Sequence, residues 1–287
     1  MNLSPEISNP QKKIFTNYTK KDLVDYYTEV AEVMLPHIKG RPLSLFRFPN
    51  GTDIEGFFQK DMPYYFPNWI EYVKIKQKRR TVKYIVCNNK ESLVFIASQV
   101  GEFHIWTSTI QRLGYPDKMV FDLDPSENNL DGLRKVVKKL AKLLEDIGFM
   151  PYLMTTGKKG YHVVTPIFPE QDNDAVRAFA LKIAVVLKND DPDLMTIELL
   201  INKRKKRVFI DVNRNSPHQT SIAPYSVRAV KKASVALPIE FDELGNTRPD
   251  DFDIGRTLKR IKKSKDPWID FNKEAQSIKE IIRRLKK

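Results

Sequence analysis

The spacing of hydrophobic residues along the chain predicts four helices. Residues 130–147 place leucine and valine on one face and lysine on the other, and Gly148 follows as a C-terminal cap. Residues 19–38 and 172–187 show the same helical spacing. Pro36 is expected to end or distort the first of these helices. The fourth helix, at the C-terminal end of the chain, is predicted to be amphipathic and basic.

Strands are predicted where β-branched and aromatic residues alternate with polar ones or form short apolar runs. Residues 92–99 are apolar, but their spacing fits a helix as well as a strand. The predicted strands lie within residues 41–60 around a turn at Pro49-Asn50-Gly51, and at 73–87, 102–108, 120–125, 151–156, 161–166 and 208–212. This mixture predicts an α/β (α+β) fold class. We find no internal repeat or low-complexity linker, which favours a single domain over residues 1–287.

Composition makes a polyanionic partner the first hypothesis. The 287 residues are 41% hydrophobic, enough for a core, and carry a formal net charge of +13. Nucleic acid is the usual partner of so basic a chain, although a merely solvated basic surface remains the alternative. The single cysteine, Cys87, excludes an intramolecular disulfide and fits a reducing cytosol. No apolar run is long enough for a transmembrane helix or a signal peptide.

Two carboxylates stand one residue apart in an apolar run, at Asp122 and Asp124. In a strand, the side chains of Asp122 and Asp124 point to the same face, where their carboxylates repel each other. A divalent metal ion, which prefers carboxylate oxygens, would relieve this repulsion. Asp211 ends a second apolar strand, and three converging carboxylates would suit two-metal phosphoryl transfer. The alternative is that these aspartates open turns, as Asp124-Pro125 often does.

A glycine-rich turn separates two of the predicted strands. In residues 155–162 (TTGKKGYH), two glycines let backbone amides approach a ligand, and a hydroxyl and two lysines add donors and charge. This composition suits phosphates, although it is not a Walker A sequence, and an ordinary hairpin turn with exposed lysines is the alternative.

Histidine and phenylalanine supply further candidates. The spacing of His104 and His162 makes zinc improbable, and a strand histidine is more often a structural group than a catalyst. Phe57 and Phe58 are adjacent on a predicted strand, so one of them is expected to be exposed and to stack on bases. A core pair spanning two layers is the alternative.

Seven motifs in order resemble one family, the polymerase domain of bacterial ligase D and related stand-alone repair polymerases of the archaeo-eukaryotic primase superfamily. The motifs are GRPLSLFRFPNG, FFQK, EFHIW, FDLDP, TTGKKGYHVVTP, VFIDVNRN and IAPYSVRA. The resemblance as a whole extends from about Asn9 to beyond Arg228. The resemblance implies a primase-like fold. An RRM-like catalytic sheet, about residues 116–287, would pack against an N-terminal α/β module of about residues 1–115, without a ligase or nuclease domain.

The resemblance also implies roles for individual residues. The implied catalytic and metal-binding carboxylates are Asp122, Asp124 and Asp211, with two Mn²⁺ or Mg²⁺ ions. The implied nucleotide-binding residues are His104, Thr156, Lys159, Arg214 and Arg228. The implied DNA-binding residues are Lys12 and Lys20 (5′-phosphate), Phe57 and Phe58 (template), and Arg204 (primer end). The chain departs from the family at Thr156, where a serine is usual, and at Ser126, where a glycine is usual.

The function implied is DNA repair by non-homologous end joining in the cytoplasm, at the nucleoid, of a prokaryote. The enzyme would be a DNA-directed nucleotidyltransferase that fills gaps and extends 3′ ends from NTPs or dNTPs, with ribonucleotides preferred. Its partners would be broken or gapped DNA, Ku and a separate ATP-dependent DNA ligase, because no Lys-x-Asp-Gly ligase motif is present. A primase that starts chains de novo and a non-catalytic DNA-end-binding module are the alternatives.

Overall fold

A computed structural model describes residues 7–77, 80–127 and 129–286. The chain divides into two compact units, one built from residues 1–106, 222–237 and 250–266, and the other from 107–221, 238–249 and 267–287. The strands are β1 (Pro42–Arg47), β2 (Phe57–Gln59), β3 (Tyr72–Lys76), β4 (Thr81–Val86), β5 (Gly101–Ile105), β6 (Lys118–Pro125), β7 (Tyr152–Thr155), β8 (Tyr161–Pro166), β9 (Met195–Thr196), β10 (Val208–Asp211), β11 (Ser221–Ile222) and β12 (Pro238–Ile239). The α-helices are α1 (Lys20–Glu29), α2 (Ala31–Ile38), α3 (Lys90–Ser98), α4 (Leu130–Asp146), α5 (Asn173–Asp190), α6 (Ile201–Arg204), α7 (Ile254–Ile261) and α8 (Ile278–Leu285).

The sheet of the first unit has the order β11-β5-β1-β4-β3, and β2 also pairs with β1. The antiparallel register places Phe46 opposite both Phe58 and Glu102, and Ser44 opposite His104. Residues that face each other across strands share one side of a sheet. Phe58, Glu102 and His104 therefore lie on one face, and Phe57 lies on the other, opposite Arg47.

The helices of the first unit correct two sequence expectations. Residues 19–38 form two helices rather than one, because the backbone of Val30 leaves the helical path between α1 and α2. Pro36 lies inside α2, which continues to Ile38, so it does not end the helix at once. Residues 92–98, whose spacing fits a helix as well as a strand, belong to α3, and Gln99 is its C-cap. The side chain of Asn89 caps the first turn of this helix.

The sheet of the second unit has the order β12-β7-β8-β6-β10-β9, and all of its pairs are antiparallel except β9 with β10. Helices α4 and α5 contact the central strand β6. Phe121 and Leu123 of this strand are fully buried. Asp122 and Asp124 alternate with them and so point to the opposite face of the sheet.

The predicted helices of the second unit are present with changed bounds. Asp172 caps α5, and α4 ends before Gly148, whose φ of +99° is the left-handed conformation expected of a glycine cap. The predicted C-terminal helix is limited to α8, because residues 267–277 form turns and a short 3₁₀ segment. The predicted basic loop at 202–207 contains part of α6.

Candidate active site

Three adjacent strands of the second unit bring acidic residues and a histidine into one row. His162 on β8 and Asp211 on β10 lie directly opposite Asp122 on β6, one on each side. Asp124, two residues along β6, extends the row on the same face. The predicted convergence of Asp122, Asp124 and Asp211 on one face is therefore what the strand register produces.

Two basic side chains contact the carboxylate of Asp122, which is buried. His162 Nε2 lies 3.2 Å from Asp122 Oδ1, and Arg214 Nε lies 3.0 Å from Asp122 Oδ2. Burial opposes ionisation of Asp122, but His162 and Arg214 outweigh it and hold its pKa well below the usual range. Arg214 also approaches Asp211, with 3.9 Å between Nε and Oδ2.

Asp124 experiences the opposite balance. Burial, followed by the negative charge of Asp122, raises the pKa of Asp124 to about 6. As the side chains of the described residues stand, no three His, Cys, Asp or Glu groups are close enough to form a metal-binding cluster. The three carboxylates nevertheless supply the hard oxygen donors that a divalent cation prefers.

The glycine-rich turn between β7 and β8 is held by Thr156. The Thr156 hydroxyl donates to the carbonyl of Gly160 at 2.9 Å and accepts from the backbone N–H of Gly160 at 3.2 Å. A Cβ at Gly160 would come within 2.6 Å of Asp124 Oδ1 and still closer to the carbonyl oxygen of Leu123. Only glycine lets this turn lie against the carboxylate row. Lys159 is exposed at its tip.

The end of the carboxylate row meets the basic segment 203–207. Phe209 pairs with Asp124 across β10 and β6, and the guanidinium of Arg204 lies 3.6 Å from the centre of the Phe209 ring. Ser126, which replaces the usual glycine, donates to the carbonyl of Arg207 at 2.5 Å. Arg204 is therefore fixed next to the residue that faces Asp124.

In the first unit, the buried carboxylate of Glu102 organises two of the implied nucleotide-binding residues. Glu102 Oε2 lies 3.1 Å from His104 Nε2 and 3.2 Å from Arg228 Nε, and its other oxygen accepts from the N–H of Ala229 at 2.7 Å. The ring of Phe58 packs on His104 with 5.4 Å between centroids. His104 and Arg228, far apart in sequence, are thus held together.

The residues expected to contact DNA lie on the surface of the first unit, apart from Arg204. Phe57 is 50% exposed and Phe58 60%, so both are exposed where one was expected. Lys12 donates to Asn50 Oδ1 at 3.0 Å, and Lys20 donates to the carbonyl of Ser8 at 2.9 Å. Burial, followed by the charges of Lys12 and Arg47, lowers the pKa of Lys20. These cations are therefore close enough to repel one another.

Comparison with known proteins identifies the family. The family model described as LigD, primase-polymerase domain, matches residues 19–268. The chain belongs to the LigD primase-polymerase domain family. The enzyme class expected from the seven motifs, a DNA-directed nucleotidyltransferase, is therefore confirmed, as is the resemblance itself.

Individual relatives agree with this assignment. The multifunctional non-homologous end joining protein LigD of Mycolicibacterium smegmatis is 33% identical over 246 residues, which are 84% of this chain and 32% of that protein. The bifunctional LigD of Bacillus subtilis is 32% identical over 94% of this chain and 44% of that protein. The chain thus spans less than half the length of either relative.

A solved structure confirms the fold class. The polymerase domain of ligase D from Mycobacterium tuberculosis, in complex with DNA, matches with a TM-score of 0.88 and 31% identity. The match covers 94% of this chain and 99% of that one. Within the described ranges, no helix combines the length and apolar content needed to cross a membrane.

Two residues of the site, Glu102 and His162, are not among those to which the sequence assigns a role in catalysis or binding. Glu102 stands two residues before His104 on a predicted strand and so shares its face, which is the signal in the sequence that points to it. The sequence favours a structural role for His162, and only the pairing of β8 with β6 places it opposite Asp122.

Proposed function

We propose that this LigD primase-polymerase domain fills gaps and extends 3′ ends at broken DNA ends during non-homologous end joining. The observation that carries the proposal is the register of β6 and β10, which sets Asp122 opposite Asp211 with Asp124 on the same face. Family membership supports template-directed nucleotidyl transfer, and the names of the relatives support the repair role.

We assign metal binding and catalysis to Asp122, Asp124 and Asp211. Their oxygen donors fit Mn²⁺ or Mg²⁺. A cation bound there would offset the repulsion between the carboxylates of Asp122 and Asp124. Two such ions would activate the primer 3′-hydroxyl and neutralise the triphosphate. Arg214 supplies part of the charge compensation, through its contact with Asp122.

Binding of the incoming nucleotide is assigned to basic and polar groups. Lys159 offers an exposed ammonium group, and the turn that carries it contains Thr156 and two glycines. Glu102 fixes the positions of Arg228 and His104 through its ion pair and hydrogen bond. The proposed nucleotide-binding residues are His104, Thr156, Lys159, Arg214 and Arg228. We also propose that ribonucleotides are preferred over deoxyribonucleotides.

Recognition of the DNA end is assigned mainly to the first unit. Lys12 and Lys20 form a cationic group suited to a 5′-phosphate, and the exposed rings of Phe57 and Phe58 suit template bases. Arg204, stacked on Phe209, would position the primer end. The relative from M. tuberculosis was solved with DNA, which supports DNA as the substrate. Ku and a separate ATP-dependent ligase are the proposed protein partners.

Primer extension on a gapped duplex with Mn²⁺ and NTPs tests the proposal. Asp122→Ala and Asp124→Ala should each abolish nucleotide addition, because each removes a carboxylate from the row. Asp190→Ala is the matched control, since it removes an exposed carboxylate paired with Lys139 and should leave the rate unchanged. Full activity in the Asp122→Ala, Asp124→Ala double variant would refute the assignment.

De novo primer synthesis is a second candidate, because the matching family model describes a primase-polymerase domain. Incubation of a single-stranded template with NTPs and no primer distinguishes de novo synthesis from primer extension, and dinucleotide products would favour the primase role.

A purely DNA-end-binding role predicts that Mn²⁺ does not strengthen NTP binding. Calorimetry of NTP binding with and without Mn²⁺ tests that prediction.

A further inference from the structure

Arg47 connects the exposed ring of Phe57 to two further exposed rings of the first unit. The guanidinium of Arg47 lies 5.8 Å from the centre of the Phe57 ring and donates to the hydroxyl of Tyr65 at 2.8 Å. The ring of Tyr65 contacts that of Tyr64 at 5.7 Å. We call these four residues the aromatic patch. The chain thus connects one of the proposed template-contacting rings to two tyrosines outside the seven motifs.

The tyrosines of the aromatic patch are presented to solvent. Tyr64 is 100% exposed and Tyr65 52%. Two large neighbouring rings outside the core contribute little to folding, and exposed apolar groups that cluster mark binding surfaces. The edge-to-face contact between the two rings leaves aromatic surface open to a further ring.

The segment that carries the tyrosines is held in place by its neighbours. Phe66 is buried and packs on Phe95 of α3 with 5.0 Å between ring centres. Its N–H donates to the carbonyl of Pro63, which closes a turn with Tyr64 and Tyr65 at the two central positions. Pro63 and Pro67 restrict the backbone on either side. The backbone that carries the two rings is therefore preorganised, which lowers the entropic cost of binding a ligand.

Charge next to the aromatic patch favours a polyanion over an apolar partner. Within the described part of the chain, the hydrogen-bond acceptors of Arg47 are neutral oxygens of Gln59, Tyr65 and Gln99. The charges of Arg47 and Lys12 both act on Lys20. Aromatic rings beside a concentration of cations form the usual platform for single-stranded nucleic acid, where bases stack and phosphates meet positive charge.

We propose that the aromatic patch binds single-stranded DNA, with unpaired bases stacking on Tyr64 and Tyr65 and a phosphate held by Arg47. The inference rests on the proposed function in that both require DNA as ligand, and it extends the protein's contact with a broken end beyond Phe57 and Phe58. It assigns to Tyr64 and Tyr65 a role in binding DNA and not in catalysis.

Fluorescence anisotropy with a labelled oligothymidylate, in EDTA and without NTP, tests the proposal on the full chain. Tyr64→Ala and Tyr65→Ala should each weaken binding of the single strand by about fivefold to a hundredfold, the range expected for loss of one stacked base. Tyr64→Leu should lose as much, because leucine keeps apolar area but has no ring. Tyr65→Phe should retain most of the affinity, since it loses only the hydroxyl contact with Arg47.

The matched control is Tyr115→Ala, which removes another exposed tyrosine that has an arginine, Arg112, over its ring. Its affinity should equal that of the parent chain. Unchanged single-strand affinity in both alanine variants would overturn the proposal, and so would an equal loss on fully paired duplex. Because the assay contains neither metal nor NTP, failure of primer extension would refute the proposed catalysis while leaving this binding result to be judged separately.

Discussion

Glu102 shows how one buried residue determines the arrangement of a site. It is 1% exposed, yet it carries a carboxylate that meets Arg228, His104 and a backbone N–H. A buried charge is tolerated only where partners of opposite charge or hydrogen-bond donors surround it. The strand position of Glu102 therefore fixes where the two nucleotide-binding candidates stand.

Glu102→Gln should destabilise the protein by about 3 kcal/mol, because it leaves Arg228 as a buried cation without its counter-charge. Urea denaturation measures the change in the free energy of unfolding. Asp25→Asn is the matched control, since it breaks an exposed ion pair with Lys21 and should not move the midpoint measurably. Equal urea midpoints for both variants would show that the carboxylate of Glu102 does not stabilise the buried guanidinium of Arg228.

At the scale of elements, the turn between β7 and β8 combines backbone geometry with the site. Gly160 allows the turn to touch Asp124, and the hydroxyl of Thr156 closes it from within. The serine usually found at this place offers the same hydroxyl. The threonine therefore preserves the hydrogen bonds that hold the turn.

Gly160→Ala should destabilise the protein by roughly 1–3 kcal/mol and displace Asp124, because the added methyl group would overlap its carboxylate. Gly245→Ala is the control, as no atom lies within 4 Å of a Cβ placed there. Thermal denaturation measures stability. Primer extension measures how far the displacement of Asp124 lowers the rate of nucleotide addition. A Gly160→Ala protein as stable and active as the Gly245→Ala protein would contradict the close approach.

The start of α1 provides a second test at this scale. Thr19 and Asp22 form a capping box, in which the backbone N–H of Thr19 donates to Asp22 Oδ2 at 2.7 Å. Thr19→Ala should cost about 1 kcal/mol of stability. Thr28→Ala, later in the same helix, loses a hydroxyl bonded to the carbonyl of Val24 and should be neutral or slightly stabilising. Urea midpoints that shift equally would argue against the cap.

At the scale of the whole molecule, the net charge of +13 should govern affinity for DNA. The logarithm of the binding constant should fall linearly with the logarithm of salt concentration, by about 0.9 per phosphate contacted. Lys12→Gln and Lys20→Gln should each reduce that slope by about one on a 5′-phosphorylated gap. Lys142→Gln, which is paired with Asp146, should not. Slopes that are unchanged in both end-binding variants would remove these lysines from the DNA contact.

The sequence by itself determined the family, the mixed α/β class and the position of most elements. Helical periodicity located α4 and α5, because both helices are long enough for the repeat of apolar residues to be visible. The alternation of aspartate with apolar residues located β6. Asp122 and Asp124 had to share a face once β6 was a strand. The seven motifs identified the family because their order, more than any one of them, is specific.

Only the tertiary structure decided which distant residues meet. Strand order is not encoded in local spacing, so the pairing of β6 with both β8 and β10 was needed to set His162 and Asp211 beside Asp122. The same holds for Glu102, Arg228 and the contact of Arg47 with Tyr65. Local periodicity reports which face a residue occupies, whereas long-range hydrogen bonds and buried charges determine its neighbours, and those depend on the whole fold.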